Sequence, residues 1–168
     1  MSDTIDVIEK GQPISFSFED LMRYHGPGSP GGVAHAFKVM ERGFVALAPD
    51  GPLERREISI RTSFGGPGAR DGLELVTRAV TGERYVVDRG LARPENGRTR
   101  EKFVFELSYG ERSVTLVLRE GYVTEEFADL AFTSGDLTPE QDARLEELKR
   151  EMAERIIASP AADVYDAE

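Results

Sequence analysis

The clearest pattern along the chain is an apolar stripe at helical spacing. Val33, Phe37, Met40, Phe44 and Leu47 predict a helix from about Val33 to Leu47, ended by Pro49-Asp50-Gly51-Pro52. A second stripe, Leu145, Leu148, Met152, Ile156 and Ile157, marks the buried face of a helix from Pro139 to about Ala158. Its start carries a capping signature: Thr138 as N-cap, Pro139 at the first helical position, and Gln141 closing a capping box. A short helix starts at Ser17-Phe18-Glu19-Asp20-Leu21, where Ser17 caps and the two acids suit the positive end of the helix dipole. Another runs from about Arg70 to Ala79, before a turn over Val80–Arg84. Alternation over Glu57–Thr62 reads as a strand, with further strands at Tyr85–Val87, Phe103–Leu107 and Ser113–Leu118. Tyr109-Gly110-Glu111 joins the last two as a hairpin.

Residues 1–16 alternate poorly and contain Gly11-Gln12-Pro13, so they read as an N-terminal arm ahead of a core domain over residues 17–165. The element order ααβαβββα keeps helices and strands segregated. It predicts an α+β fold, a mostly antiparallel sheet packed with helices in a single domain.

Composition narrows the chemistry. The 168 residues include no cysteine, so disulfides, Cys-ligated zinc, iron–sulfur clusters and a thiol nucleophile are ruled out within this chain. The formal net charge is -10, which disfavours nonspecific binding to nucleic acid or an anionic membrane. No apolar run approaches the ~18 residues of a membrane span. The acidic start, Met1-Ser2-Asp3-Thr4-Ile5-Asp6, lacks the apolar stretch of a signal peptide, so the expected compartment is the cytoplasm. Local basic pockets for a small anionic molecule remain compatible with this balance.

Two glycine-rich breaker clusters precede helices: His25-Gly26-Pro27-Gly28-Ser29-Pro30-Gly31-Gly32 and Ser63-Phe64-Gly65-Gly66-Pro67-Gly68. Backbone N–H groups and a helix dipole favour negative charge at such places, which makes Gly28, Gly31 and Gly32 candidate ligand-binding positions. Neither cluster matches a phosphate-loop consensus. His25 is a candidate ligand or general acid–base, or a histidine that fixes loop backbone. His35 lies off the Val33–Phe37 stripe and reads as a surface or interface histidine that can also line the same pocket. Asp71 can orient His25, or it is an early-helix carboxylate held by the dipole. Arg70 and Arg78 lie eight apart, roughly on one helix side, and can clamp a carboxylate or phosphate, or are solvated. Arg89, Arg93, Arg98, Arg100 and Lys102 form a basic run on an acidic protein, suited to an acidic ligand or partner.

Phe18-Glu19-Asp20-Leu21 followed by Tyr24-His25-Gly26-Pro27-Gly28-Ser29-Pro30-Gly31 resembles the entry motif of one family, the E-type subunits of formylmethanofuran dehydrogenase. That motif is an aromatic residue, His-Gly-His, a spacer and Cys-Pro-Gly before a helix. Gly68 to Glu83 is similar to the family's second motif, Cys-x-x-Asp ending in Thr-Gly-Cys-Thr-x-Gly-Lys, and Ile156–Tyr165 looks like the close of its core domain. The resemblance covers about Ser17 to Tyr165. It implies a metal site where those motifs converge, but Pro27 stands at the second histidine, and Ser29, Gly68 and Ala79 at the cysteines. The family's lysine has become Glu83, with Arg84 beside it as a substitute cation. Only His25 and Asp71 persist, which is short of the three or four ligands a transition metal needs. The expectation is therefore a largely lost metal site, with no tightly bound zinc or iron–sulfur cluster. Weak metal or haem binding through His25 and His35 stays open. The family's C-terminal zinc finger is not expected. The resemblance further implies a homodimer and an accessory protein that binds a small anionic molecule or a redox-enzyme partner in one-carbon metabolism. The alternative is a small-molecule enzyme using His25 as acid/base, Asp71 to orient it, and Ser29 with loop N–H groups to bind a developing anion.

Overall fold

A computed structural model describes residues 4–168. In chain order the elements are β1 (Thr4–Glu9), β2 (Gln12–Ser17), α1 (Phe18–His25), α2 (Pro30–Leu47), β3 (Leu53–Glu54), β4 (Ile58–Thr62), α3 (Pro67–Thr77), β5 (Tyr85–Val87), β6 (Val104–Tyr109), β7 (Arg112–Leu118), α4 (Glu125–Ala131), α5 (Pro139–Ile157), α6 (Ala161–Val164) and β8 (Tyr165–Ala167). They build an α+β fold with two sheets, ordered β2-β1-β3 and β5-β4-β6-β7-β8. The larger sheet is antiparallel except where β5 runs parallel to β4. No described helix is long and apolar enough to cross a membrane.

The capping residues act as their chemistry requires. Ser17 Oγ accepts from the Asp20 amide at 3.1 Å while the Asp20 carboxylate accepts from the Ser17 amide at 2.9 Å. Thr138 and Gln141 make the same reciprocal pair at the start of α5. The stripe of α2 is buried as its spacing predicts, and so are Ala34, His35, Ala36 and Val39 on its other sides. The cause is its position: α2 packs against α1, α3, α5 and the larger sheet together. Gly43 lets it lie directly on that sheet, since a Cβ there would come within 2.6 Å of Leu107 Cδ1 and 3.1 Å of Leu116 Cδ2.

Besides the short β3 and α6, three features depart from the sequence expectation. Residues 4–16, expected as an N-terminal arm, are mostly the β1–β2 hairpin, closed by Lys10 (φ 51°) and Gly11 (φ 77°). A two-residue turn with both φ angles positive matches the twist of the flanking strands, and here lysine occupies the site more often held by Asn or Asp. Residues 1–3 lie outside the described residues. Helix α4, capped by Thr124 on the Phe127 amide, fills the stretch between β7 and α5. Strand β8 extends the sheet edge at β7, where three residues are too few to show alternation.

Candidate ligand pocket

Glycines bring the two breaker loops together. A Cβ on Gly68 would lie 2.5 Å from the Ser29 carbonyl oxygen, 2.9 Å from Ser29 Cβ and 3.1 Å from the Val33 amide. One on Gly32 would lie 2.9 Å from the Ala69 amide. The first turns of α2 and α3 thus touch backbone to backbone, which only residues without a side chain permit. Ser29 and Gly66 are the N-cap residues; the Ser29 side chain makes no capping bond and Gly66 has none to make. With Pro30 and Pro67 at the first helical positions, the leading N–H groups are those of Gly31 and Gly32 in α2 and Gly68 and Ala69 in α3.

Between these turns lies a cavity of about 310 Å³. Ser29, Gly31, Gly32 and Gly65–Gly68 supply its backbone-rich side. Phe64, Phe103, Phe127 and Phe132 supply aromatic surface, with Met152 and His35. Three cations, Arg89, Lys102 and Lys149, also line it, and no Asp or Glu among the described residues does. Lys149 Nζ donates to Glu146 at 3.1 Å and to the Gly28 carbonyl at 3.2 Å, tying α5 to the first loop. Lys102 Nζ sits 4.2 Å from the centroid of the Phe132 ring.

His35 is not a surface histidine. It is fully buried, stacked on Phe103 (4.4 Å between centroids, 25° between planes), with Nδ1 2.8 Å from the Tyr165 hydroxyl. The crowding around α2 that buries its apolar stripe encloses this residue too. Burial lowers the His35 pKa to about 3, so the ring is neutral at physiological pH. Burial likewise raises the Tyr165 phenol well above its usual value. His35 Nε2 is buried without a protein partner.

His25 and Asp71 do meet. His25 Nδ1 lies 2.8 Å from Asp71 Oδ2 across α1 and α3, so the carboxylate accepts from the ring N–H. That assignment leaves Nε2 as the acceptor of the neutral ring, and it is buried with no partner. A Cβ on Gly28 would be 3.9 Å from it, which places the first loop over the ring. His25, Asp71 and Gly28 do not line the cavity; Ser29, Gly31 and Gly32 do. The hydroxyl of Tyr85 is also buried without a partner. Burial pushes its pKa up to about 12, against the Arg70 charge and with that of Asp71.

The expected arginine clamp does not form. Arg70 leans on its neighbour Asp71 at 3.5 Å, and Arg78 caps the far end of α3 in the left-handed region (φ 56°) with Nε 3.2 Å from Glu74 Oε1. Eight residues of helix separate them by about 12 Å. Burial alone would raise the Glu74 pKa, but hydrogen bonds from Thr81, Val80 and Arg78 outweigh it and hold the carboxylate below its ordinary value. Arg84 is also structural: its guanidinium donates to the carbonyls of Ile58, Thr77 and Arg78 and closes the C-terminus of α3. The two histidines have different partners, and no group of three or more His, Cys, Asp or Glu that could hold a metal occurs among the described residues.

The basic run divides by partner. Arg93 pairs with Glu168, Arg98 with Asp129, and Arg100 lies 3.6 Å from Glu120, while Arg89 and Lys102 reach the cavity. In the sequence those two are only members of a basic run, and the phenylalanines of the wall carry no functional mark. The one available signal is Phe64 standing directly before Gly65-Gly66-Pro67-Gly68. No protein-family model matches the chain, and no curated protein matches it significantly.

Proposed function

We propose that this protein binds a small anionic molecule, of the carboxylate or phosphate class, in the cavity between the two glycine-rich turns. The observation that carries the reading is a lining with three cations and no carboxylate on a chain of formal net charge -10. The starts of α2 and α3, neither with a side-chain cap, both line the cavity, where helix dipoles favour negative charge. The resemblance to the E-type subunits of formylmethanofuran dehydrogenase belongs to the same proposal. It is supported by the contact between Ser29 and Gly68, the positions at which that family carries cysteines, and by the nearby His25–Asp71 pair. An accessory role, with hydroxyl and backbone donors in place of thiolates, follows from that reading.

Titration with inorganic phosphate and with acetate, followed by amide chemical shifts, tests it. Shifts should concentrate at Gly31, Gly32, Gly65, Gly66 and Gly68. Lys102→Gln and Arg89→Gln should each weaken phosphate binding roughly tenfold. Shifts scattered over the surface, or variants that bind as the parent does, overturn the reading.

The His25–Asp71 bond favours a second reading, acid–base catalysis on the bound molecule. Nε2 is the proton acceptor in that arrangement, and movement of the loop over Gly28 would open it. His25→Ala should then abolish turnover and leave the fold intact; unchanged turnover rejects the role.

A further inference from the structure

We infer that the molecule held in the cavity is a planar aromatic acid, with an oxygen that accepts a hydrogen bond from His35 Nε2. This deepens the anion-binding reading and rests on it.

The tautomer of His35 follows from its one partner. The Tyr165 hydroxyl bonds to Nδ1 at 2.8 Å and makes no other bond among the described residues. If Nδ1 carried the proton, the buried phenol would have no acceptor for its own hydrogen, and Nε2 would be left as a bare lone pair. If the phenol donates to Nδ1, both of those atoms are satisfied and the ring proton sits on Nε2. The second arrangement leaves one group unsatisfied instead of two, and each buried unsatisfied polar group carries its desolvation cost uncompensated. His35 is thus a fully buried residue of the cavity wall whose Nε2–H has no acceptor within the protein.

The rest of the lining selects the body of the ligand. Phe103 stacks on His35 and also on Phe64, at 4.5 Å and 26°. Phe64 and Phe132 are only half-buried and turn ring surface toward the space. A hydrated inorganic anion would leave that surface uncovered, whereas a flat ring covers it and gains offset or edge contacts. About 310 Å³ is at the small end of ligand cavities, enough for a molecule of one or two rings. Arg89 and Lys102 have no carboxylate partner among the described residues and provide the counter-charge.

Three probes separate the parts: inorganic phosphate, 4-hydroxybenzoate and trans-4-hydroxycyclohexanecarboxylate, at matched ionic strength. The aromatic acid should bind about fivefold or more tightly than its saturated counterpart. Phe132→Leu should shrink that preference. In protein with ¹⁵N-labelled histidine, His35 should be protonated at Nε2 before addition, and its Nε2 proton should shift when 4-hydroxybenzoate binds. Equal affinities for the two carboxylates overturn the aromatic assignment while the anion reading stands. A proton on Nδ1, or an unmoved Nε2 signal, overturns the role of His35. Failure of all three probes, phosphate included, overturns the anion reading and this inference with it.

Discussion

At the scale of single residues, His35 carries a stability consequence apart from any ligand. Its folded pKa of about 3 lies below the unfolded value of 6.5. Between those limits the unfolded chain binds a proton that the folded one refuses, so stability rises with pH and is lost as pH falls. The slope from this residue is roughly 1.4 kcal/mol per pH unit between 6.5 and 3. Glu74, held below its ordinary value, contributes in the same direction at the acid end. Urea unfolding at a series of pH values should show a shallower slope in His35→Phe than in the parent above pH 5, where Glu74 is ionised in both states. Identical slopes would show that the imidazole titrates freely in the folded protein. None of this is legible in the sequence. A helical wheel places His35 off the main stripe, and only the packing of α2 on several sides buries it.

At the scale of elements, the crossing of α2 and α3 is the joint that forms the pocket. Gly68→Ala pushes a methyl into the Ser29 carbonyl and the Val33 amide, backbone groups that move only if a helix moves. Such overpacking costs about 1–3 kcal/mol. Thermal unfolding should drop by about 2–4 °C for each kcal/mol lost, and phosphate binding should weaken because the two turns separate. Gly31→Ala is the control: its methyl would meet Met152 Cε at 2.6 Å, the far end of a flexible side chain that can rotate away. It should cost much less stability. Equal losses in the two variants would deny the backbone contact its special role. The elements themselves are largely readable. The capping residues Ser17 and Thr138 and the stripe on α2 reveal their helices because local chemistry and tertiary burial agree there. The hairpin of β1 and β2 is hidden because its turn uses Lys10, and α4 because the short segment Glu125–Ala131 has too few turns to display a period. With α4 goes Phe127, and Phe132 directly after it, and so much of the pocket's aromatic wall.

At the scale of the whole molecule, two charge distributions oppose each other. The chain carries a formal net charge of -10, which repels an approaching anion at long range. Arg89, Lys102 and Lys149 attract it only once it is close. Their shared position before helices marks the two glycine-rich turns but not their convergence, which only the resemblance implies, and the cations carry no mark of the pocket at all. They come from separate places: Arg89 follows β5, Lys102 precedes β6, and Lys149 lies on α5, so no window of sequence gathers them. Salt separates the two fields. Raising ionic strength from 0.01 to 0.15 M shortens the screening length from about 30 Å to about 8 Å. That removes the repulsion of distant carboxylates before it touches contacts within the cavity. The association rate of 4-hydroxybenzoate, measured by stopped flow, should therefore stay level or rise over this range, while the dissociation rate changes little. A steep fall in the association rate would mean that a broad positive field steers the ligand, and the three cations could not produce that on a surface this acidic.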